Sequence, residues 1–196
     1  MNSDLSDRQL EIIEASGRIL MEKGIKGLTT KNLAVEMNFS ESALYRHFNS
    51  KEAIVTLLIR YLSDNITSRF ETIVRGEMAP DAKLLALFQS QFSFFKANPH
   101  FIIIILSDGL IDHTENIKYE IQKLMQSNSN HFRHIIKAGQ LQNCFNHEIE
   151  TEYLIHFVMG TFRLQMLKWK LANFGFDIES QGLKTMSNLL FLMKTK

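Results

Sequence analysis

The 196-residue chain reads as all-helical, and three observations point that way. It holds only two prolines, Pro80 and Pro99, and long stretches carry none. Clusters of turn residues that would bound strands are scarce. Apolar residues recur at helical spacing in one segment after another. Hydrophobic residues make up 45% of the chain and charged residues 22%, enough for a sizeable core and too apolar for bulk disorder.

The elements follow in order. Ser6 with Gln9 forms a capping box, with Leu5 and Leu10 at the positions of a hydrophobic staple. Ile13, Ile19 and Leu20 share a face of this first helix, and Gly24 suits its C′ position. Thr30 is expected to cap a second helix reaching about Met37, with Leu33, Ala34 and Met37 inward. Asn38 and Phe39 form a turn, because Asn tolerates the left-handed conformation that a sharp helix ending needs. Ser40 caps a third helix, with Leu44 and Phe48 inward. Ser50 caps a fourth, where Ile54, Leu57, Leu58, Tyr61 and Leu62 make an apolar stripe, ending near Val74 before Gly76.

Pro80 opens the next helix, and Asn98-Pro99 closes it. The run Phe101 to Leu106 has strand propensity, with its four isoleucines, but nothing to pair with, so it is expected to be a buried helix. A long amphipathic helix spans Thr114 to Ala138, with Gly139 as its expected C′ residue. Two helices close the chain, about Thr151 to Asn173 and Ile178 to Lys194, the first apolar on more than one face. Helices of that kind bury one face inward and another against a partner.

The stretch Leu28 to Ile54 is the most informative. A short helix, a tight turn, a second short helix and a capped third leave Thr, Lys, Ser, Tyr, Arg and His outward, as a helix-turn-helix DNA reader does. Over residues 23 to 60 six Lys and Arg face three Glu, a modest excess in a chain of net charge +1. Binding must then rest on placed contacts more than on a broad positive field.

Other classes find little support. The single cysteine, Cys144, excludes an intrachain disulfide and a cysteine-based zinc cage. The N-terminus is acidic where a signal peptide would be basic, and the longest apolar run is far too short to span a bilayer, so a cytoplasmic protein is expected. There is no nucleophile elbow, P-loop or dinucleotide glycine pattern, so no enzyme and no cofactor are expected. His131 and His134 lie three apart on a helix, with Asp108 and His113 upstream, but seven scattered histidines make a chance pair the simpler reading, and no metal is expected.

The segments IIEASGRILMEKG, LTTKNLAVEMNFSESALYRHF and NSKEAIV together resemble the DNA-binding domain of the TetR (tetracycline repressor) family. The resemblance covers the first 62 or so residues, and the rest matches only generically, through the Gly139-Gln140 turn and Trp169. It implies a nine-helix subunit, with a DNA-binding domain at 1–50, an effector and dimerisation domain at 51–196, and a connecting helix at 51–74. It also implies a homodimer on a palindromic double-stranded operator, a repressor that a small effector releases.

Carried over by residue, the resemblance assigns Thr30 to a phosphate and Lys31 to the groove edge. Glu41, Ser42 and Arg46 become the exposed positions of the recognition helix, Arg46 forking onto guanine. Tyr45, His47 and Lys51 become phosphate contacts. Many members have a glycine where Asn38 stands.

For the larger domain, Phe88, Phe92, Phe95 and Phe101 are expected either as packed core or as the wall of an apolar effector chamber, with Gln91, His134 and Arg163 as polar anchors. The chamber reading implies an apolar or amphipathic effector. The dimer face is expected at Leu154, Phe157, Val158, Phe162, Leu183, Met186, Leu190 and Met193. The competing function is a DNA-binding organiser or co-regulator of the same fold without a small ligand. A side-chain-filled interior favours it, and an open chamber argues against it.

Overall fold

A computed structural model describes residues 5–46, 48, 50–107 and 114–195, without the side chain of Tyr45. The described residues form nine helices and no strand, as the periodicity predicts. They are α1 (Asp7–Gly27), α2 (Thr30–Glu36), α3 (Glu41–Tyr45), α4 (Lys51–Arg75), α5 (Pro80–Ala97), α6 (His100–Ile105), α7 (Glu115–Leu141), α8 (Thr151–Leu171) and α9 (Ile178–Met193). None is long and apolar enough to cross a membrane. The chain divides into two units, Met1–Asn65 with Asn98–Leu124, and Ile66–Ala97 with Met125–Lys196.

In the first unit the caps do what their chemistry predicts. Ser6 Oγ accepts from Gln9 N, and Gln9 Oε1 accepts from Ser6 N at 2.9 Å. Gly24, at φ 62°, kinks α1, a left-handed conformation that costs glycine little. The cap of α2 needs correction. It is Thr29, whose Oγ1 accepts from Asn32 N at 3.1 Å, while Thr30 is already the first helical residue. Two adjacent threonines cannot be ranked by residue type, and the loop geometry after Gly27 decides. Asn32 Nδ2 donates to Gly27 O at 2.7 Å and secures that loop. Asn38 takes φ 55° between α2 and α3, and Ser40 and Ser50 cap as expected.

The isoleucine run is helical, with Phe101, Ile102 and Ile104 buried in α6. Gly17 of α1 lets the His100 ring approach so closely that a Cβ there would stand 3.1 Å from it. Two polar contacts join α4 to α7 in this unit. Asn116 Nδ2 donates to Thr56 Oγ1 at 3.1 Å, and Arg60 pairs with Glu120, which is 4% exposed.

In the second unit α5 lies against α9 through Gly182, where an added Cβ would meet the Phe92 ring at 2.5 Å. The end of α7 differs from the prediction. The helix runs past Gly139 to Leu141, and Asn143 takes the left-handed position at φ 55°. Gly139 is required for a different reason. The fully buried Phe145 ring lies over it, where a Cβ would sit 2.2 Å from Cδ2. Gln140 secures the following loop, donating to Asn146 O and Ile149 O and accepting from Thr151 Oγ1 at 2.7 Å. At the end of α8, Trp169 Nε1 donates to Phe176 O at 3.0 Å.

Candidate nucleic-acid interface

The helix-turn-helix is built on a buried floor of Ile12, Ile19, Leu33, Ala34, Leu44 and Phe48. Burying these side chains leaves only one orientation for α2 and α3, and that orientation sets what faces out. Arg18 Nε donates to Glu36 at 2.6 Å, tying α1 to α2 and offsetting a carboxylate near the reading face. The Arg8 guanidinium lies 4.3 Å from the centre of the Phe39 ring and covers the turn.

Lys31, Glu41, Ser42 and Arg46 are all exposed, and Thr30 is half-buried. Ser42 Oγ lies 3.0 Å from Ser40 Oγ, so the first turn of α3 presents two adjacent hydroxyls. Arg46 is the C-cap of α3, with its backbone N–H donating to Leu44 O. The Tyr45 side chain and His47 lie outside the described residues. Lys51 has a definite partner, since its Nζ donates to Ile25 O at 2.7 Å. Burial lowers its pKa from the usual lysine value. The start of α4 is thereby fastened to the segment after the Gly24 kink. An ammonium has three donors, so this bond leaves two for a phosphate.

One exposed residue escaped the sequence reading. Val35 is 71% exposed, one helical turn after Lys31 on α2. A valine at that spacing resembles core, and only its placement shows that it faces solvent.

The expected effector residues separate into two groups. Phe88, Gln91, Phe92 and Phe95 are buried in the second unit, and Phe101 is buried in the first. The Phe88 ring stacks on Phe132 at 5.5 Å, and Phe92 meets Phe162 at 5.3 Å. His134 and Arg163 face solvent, so neither anchors a ligand among these rings. Of the expected anchors Gln91 is buried in the second unit, and it accepts from Arg69, a residue the sequence reading did not single out. Its guanidinium donates to Ser90 O at 2.8 Å and Gln91 Oε1 at 2.7 Å, and sits 4.8 Å from the centre of the Phe94 ring. Burial lowers its pKa to about 10. No sequence signal marks Arg69 apart from other helical arginines.

His131 bonds through Nδ1 to Ser127 O at 2.8 Å and meets the Phe70 ring edge-on. His113 and Asp108 lie outside the described residues. An open groove of about 360 Å³ lies between the end of α7 and the start of α8, lined by Lys137, Gln140, His147, Ile149, Glu150, Thr151 and Glu152.

The expected dimer face also shifts. Leu154, Val158, Met186, Leu190 and Met193 are buried within their own subunit, Phe162 and Leu183 are half-buried, and only Phe157 is exposed. The apolar residues left outward on α8 are Tyr153, Phe157, Leu164, Leu167 and Leu171, joined by Phe191 and Leu192 on α9. The periodicity showed that α8 has two apolar stripes without showing which of them the subunit itself uses.

Comparisons with known proteins agree with this architecture. The family described as bacterial regulatory proteins, tetR family, matches residues 12–58, and the YsiA-like protein C-terminal region matches residues 60–192. The chain belongs to the TetR family. It is therefore a DNA-binding transcriptional regulator. Among similar curated proteins is the nucleoid occlusion factor SlmA of Photobacterium profundum, 25% identical over 170 residues, 86% of this chain and 87% of that one. SlmA of Edwardsiella ictaluri is 28% identical over 145 residues, 72% of this chain and 73% of that one. Among solved structures, the fatty acid degradation regulator FadR of Bacillus halodurans has a TM-score of 0.86 at 16% identity, covering 96% of this chain and 97% of that one. FadR of Bacillus subtilis in complex with stearoyl-CoA has a TM-score of 0.81 at 16% identity, covering 92% and 97%. At that identity the likeness to the solved structures is one of fold.

Proposed function

We propose that this TetR-family chain acts as a homodimeric repressor. Two α3 helices enter successive major grooves of a palindromic operator, and a small amphipathic effector releases them. The carrying observation is the outward apolar face of α8 and α9, seven large side chains on a subunit whose own core is complete without them. A soluble protein covers such a face. Twofold symmetry then doubles the DNA-reading surface of Lys31, Ser42 and Arg46, and sets half-sites a helical turn or a multiple apart. Residues 1–50 are the reading domain and 51–196 the assembly and effector domain.

Arg69 supports an effector with an anionic end. A half-buried guanidinium over Phe94, whose ring in turn meets Phe95, suits a chain whose tail lies among phenylalanines and whose head carries charge. The stearoyl-CoA in the solved FadR complex is a molecule of that kind, held by a protein of the same fold.

A second reading is favoured by the ring-on-ring packing of Phe88, Phe92, Phe132 and Phe162, a side-chain-filled interior that suits a DNA organiser without ligand. The SlmA relatives are named nucleoid occlusion factors. One experiment separates the two. Protein purified from its cells under native conditions is analysed by mass spectrometry, and operator release is titrated with fatty acids and acyl thioesters. A co-purifying amphiphile and release that Arg69→Leu abolishes support the regulator. Absence of both, with tight DNA binding intact, supports the organiser.

A further inference from the structure

The carbonyls in the last turn of a helix have no later turn to bond them, so something else must. In α1 two of these, Ile25 O and Gly27 O, follow the Gly24 kink and are bonded from outside the helix. Lys51 Nζ donates to Ile25 O, and Asn32 Nδ2 donates to Gly27 O, each at 2.7 Å. Both bonds are partly buried. Gly27 is also pressed against its own helix, where an added Cβ would stand 2.2 Å from Lys23 Cβ. The segment 25–27 therefore cannot shift without breaking contacts on three sides.

The two donors come from different helices. Asn32 is the third residue of α2, and Lys51 is the first of α4. The segment 25–27 is thus a strut between the starts of these helices. Those starts carry Thr30 and Lys31 on one side and Lys51 on the other. Phosphates along a duplex have a fixed spacing, so side chains that hold them must be kept at a matching separation.

Asn32 fastens α2 twice. Its backbone N–H donates to Thr29 Oγ1 at 3.1 Å and closes the cap, while its side-chain amide reaches back past the cap to Gly27 O. In a capping box this position holds Glu or Gln, whose oxygen accepts from the N–H of the cap residue. Asn32 works in the opposite sense. Its amide donates, and its acceptor lies two residues before the cap. Neither a carboxylate nor an aliphatic side chain can donate that bond. Helix propensity does not explain the residue either, because asparagine ranks low within helices.

We infer that Asn32 is a positioning residue for DNA binding. With Lys51 on the other side of the 25–27 strut, it sets the separation between the DNA-facing side chains of α2 and that of α4. Its own amide is spent on Gly27 O and leaves the duplex to its neighbours. The inference rests on the assignment of Thr30 and Lys51 to phosphates and of Lys31 to the groove edge. Backbone contacts carry no sequence information. Asn32 therefore governs how tightly the chain holds any duplex, and Arg46 governs which bases it prefers.

The test is fluorescence anisotropy with a duplex selected by the wild-type protein and with a scrambled duplex of equal length. Active protein is counted by stoichiometric titration, and each variant is measured well below its melting temperature, so loss of folded chain does not enter Kd. Asn32→Ala is expected to raise Kd about fivefold on both duplexes alike, the worth of one net hydrogen bond. Asn32→Gln, which keeps an amide donor, should recover most of that loss. Thr30→Val combined with Asn32→Ala should cost less than the two separately, because a contact already removed cannot be misplaced. Asn32→Ser, too short to reach Gly27 O, replaces the alanine variant if that one does not fold. A lower melting temperature with Kd unchanged overturns the positioning role, and so does full additivity with Thr30→Val or a loss confined to the selected duplex. If Thr30→Val weakens binding and Asn32→Ala does not, only the positioning role falls. If Thr30→Val, Lys31→Ala and Lys51→Ala all bind as wild type, the DNA-facing assignment falls and the positioning role with it.

Discussion

Leu164→Glu separates a surface that serves assembly from one that serves folding. Leu164 is 55% exposed on α8, so a glutamate there is solvated in a lone subunit and costs little stability. In a twofold assembly the same residue is buried twice. Completing the burial of a half-exposed leucine contributes roughly 1 kcal/mol, hence about 2 kcal/mol per dimer. Burying two carboxylates without partners adds at least as much again. The sum, about 4 kcal/mol, raises the dimer dissociation constant roughly a thousandfold. Sedimentation velocity over a range of concentrations reads that change directly, with thermal melting of the same sample as the folding control. Val158→Glu gives the converse. Val158 is fully buried within its subunit, so its substitution should unfold the chain before it dissociates any dimer. The reasoning is refuted by a Leu164→Glu protein that sediments as wild type, or by a Val158→Glu protein that melts as wild type and merely becomes monomeric.

Further outcomes follow from named contacts. Gly139→Ala gains helix propensity of about 1 kcal/mol but drives a Cβ into the Phe145 ring, so a net loss of about 1–2 kcal/mol is expected by thermal melting. Phe145→Leu in the same chain should relieve part of it, which a left-handed strain at Gly139 would not allow. His100 has its pKa lowered to about 4 by burial. The unfolded chain therefore takes up a proton that the folded one refuses, and stability falls as pH drops from about 6.5 toward 4. His100→Gln should flatten that part of the melting profile, and an unchanged slope would contradict the burial argument. Arg46→Ala should cost about 1–3 kcal/mol of operator binding and relax one base position, read by binding selection. Lys51→Ala should lower the salt slope of DNA binding by about 1 if its amino group also reaches phosphate. An unchanged slope with a lower melting temperature assigns it wholly to the Ile25 carbonyl.

The local chemistry of this fold was legible in the residues. Ser6, Gln9, Ser40, Ser50 and Asn38 act where their side chains or backbone preferences say they should, because a cap or a turn is decided by a few neighbours. The isoleucine run became a helix against its propensity, as the absence of any pairing strand required. What failed needed three dimensions. Thr29 and Thr30 differ only in loop geometry. Gly139 satisfies a ring six residues later, not a helix end. The apolar stripe that α8 spends on its own subunit has the same spacing as the one it leaves outside, and only packing tells them apart. His134 and Arg163 were plausible anchors by type, yet the helix phase turns both to solvent and brings Arg69 over Phe94.

The most direct test of the account is selection of bound sequences from a random duplex library, followed by sedimentation of the protein with the selected site. A homodimeric reader selects a motif with dyad symmetry, half-sites a helical turn or a multiple apart, and an even number of chains on each site. An asymmetric motif occupied by a single chain would contradict the homodimer.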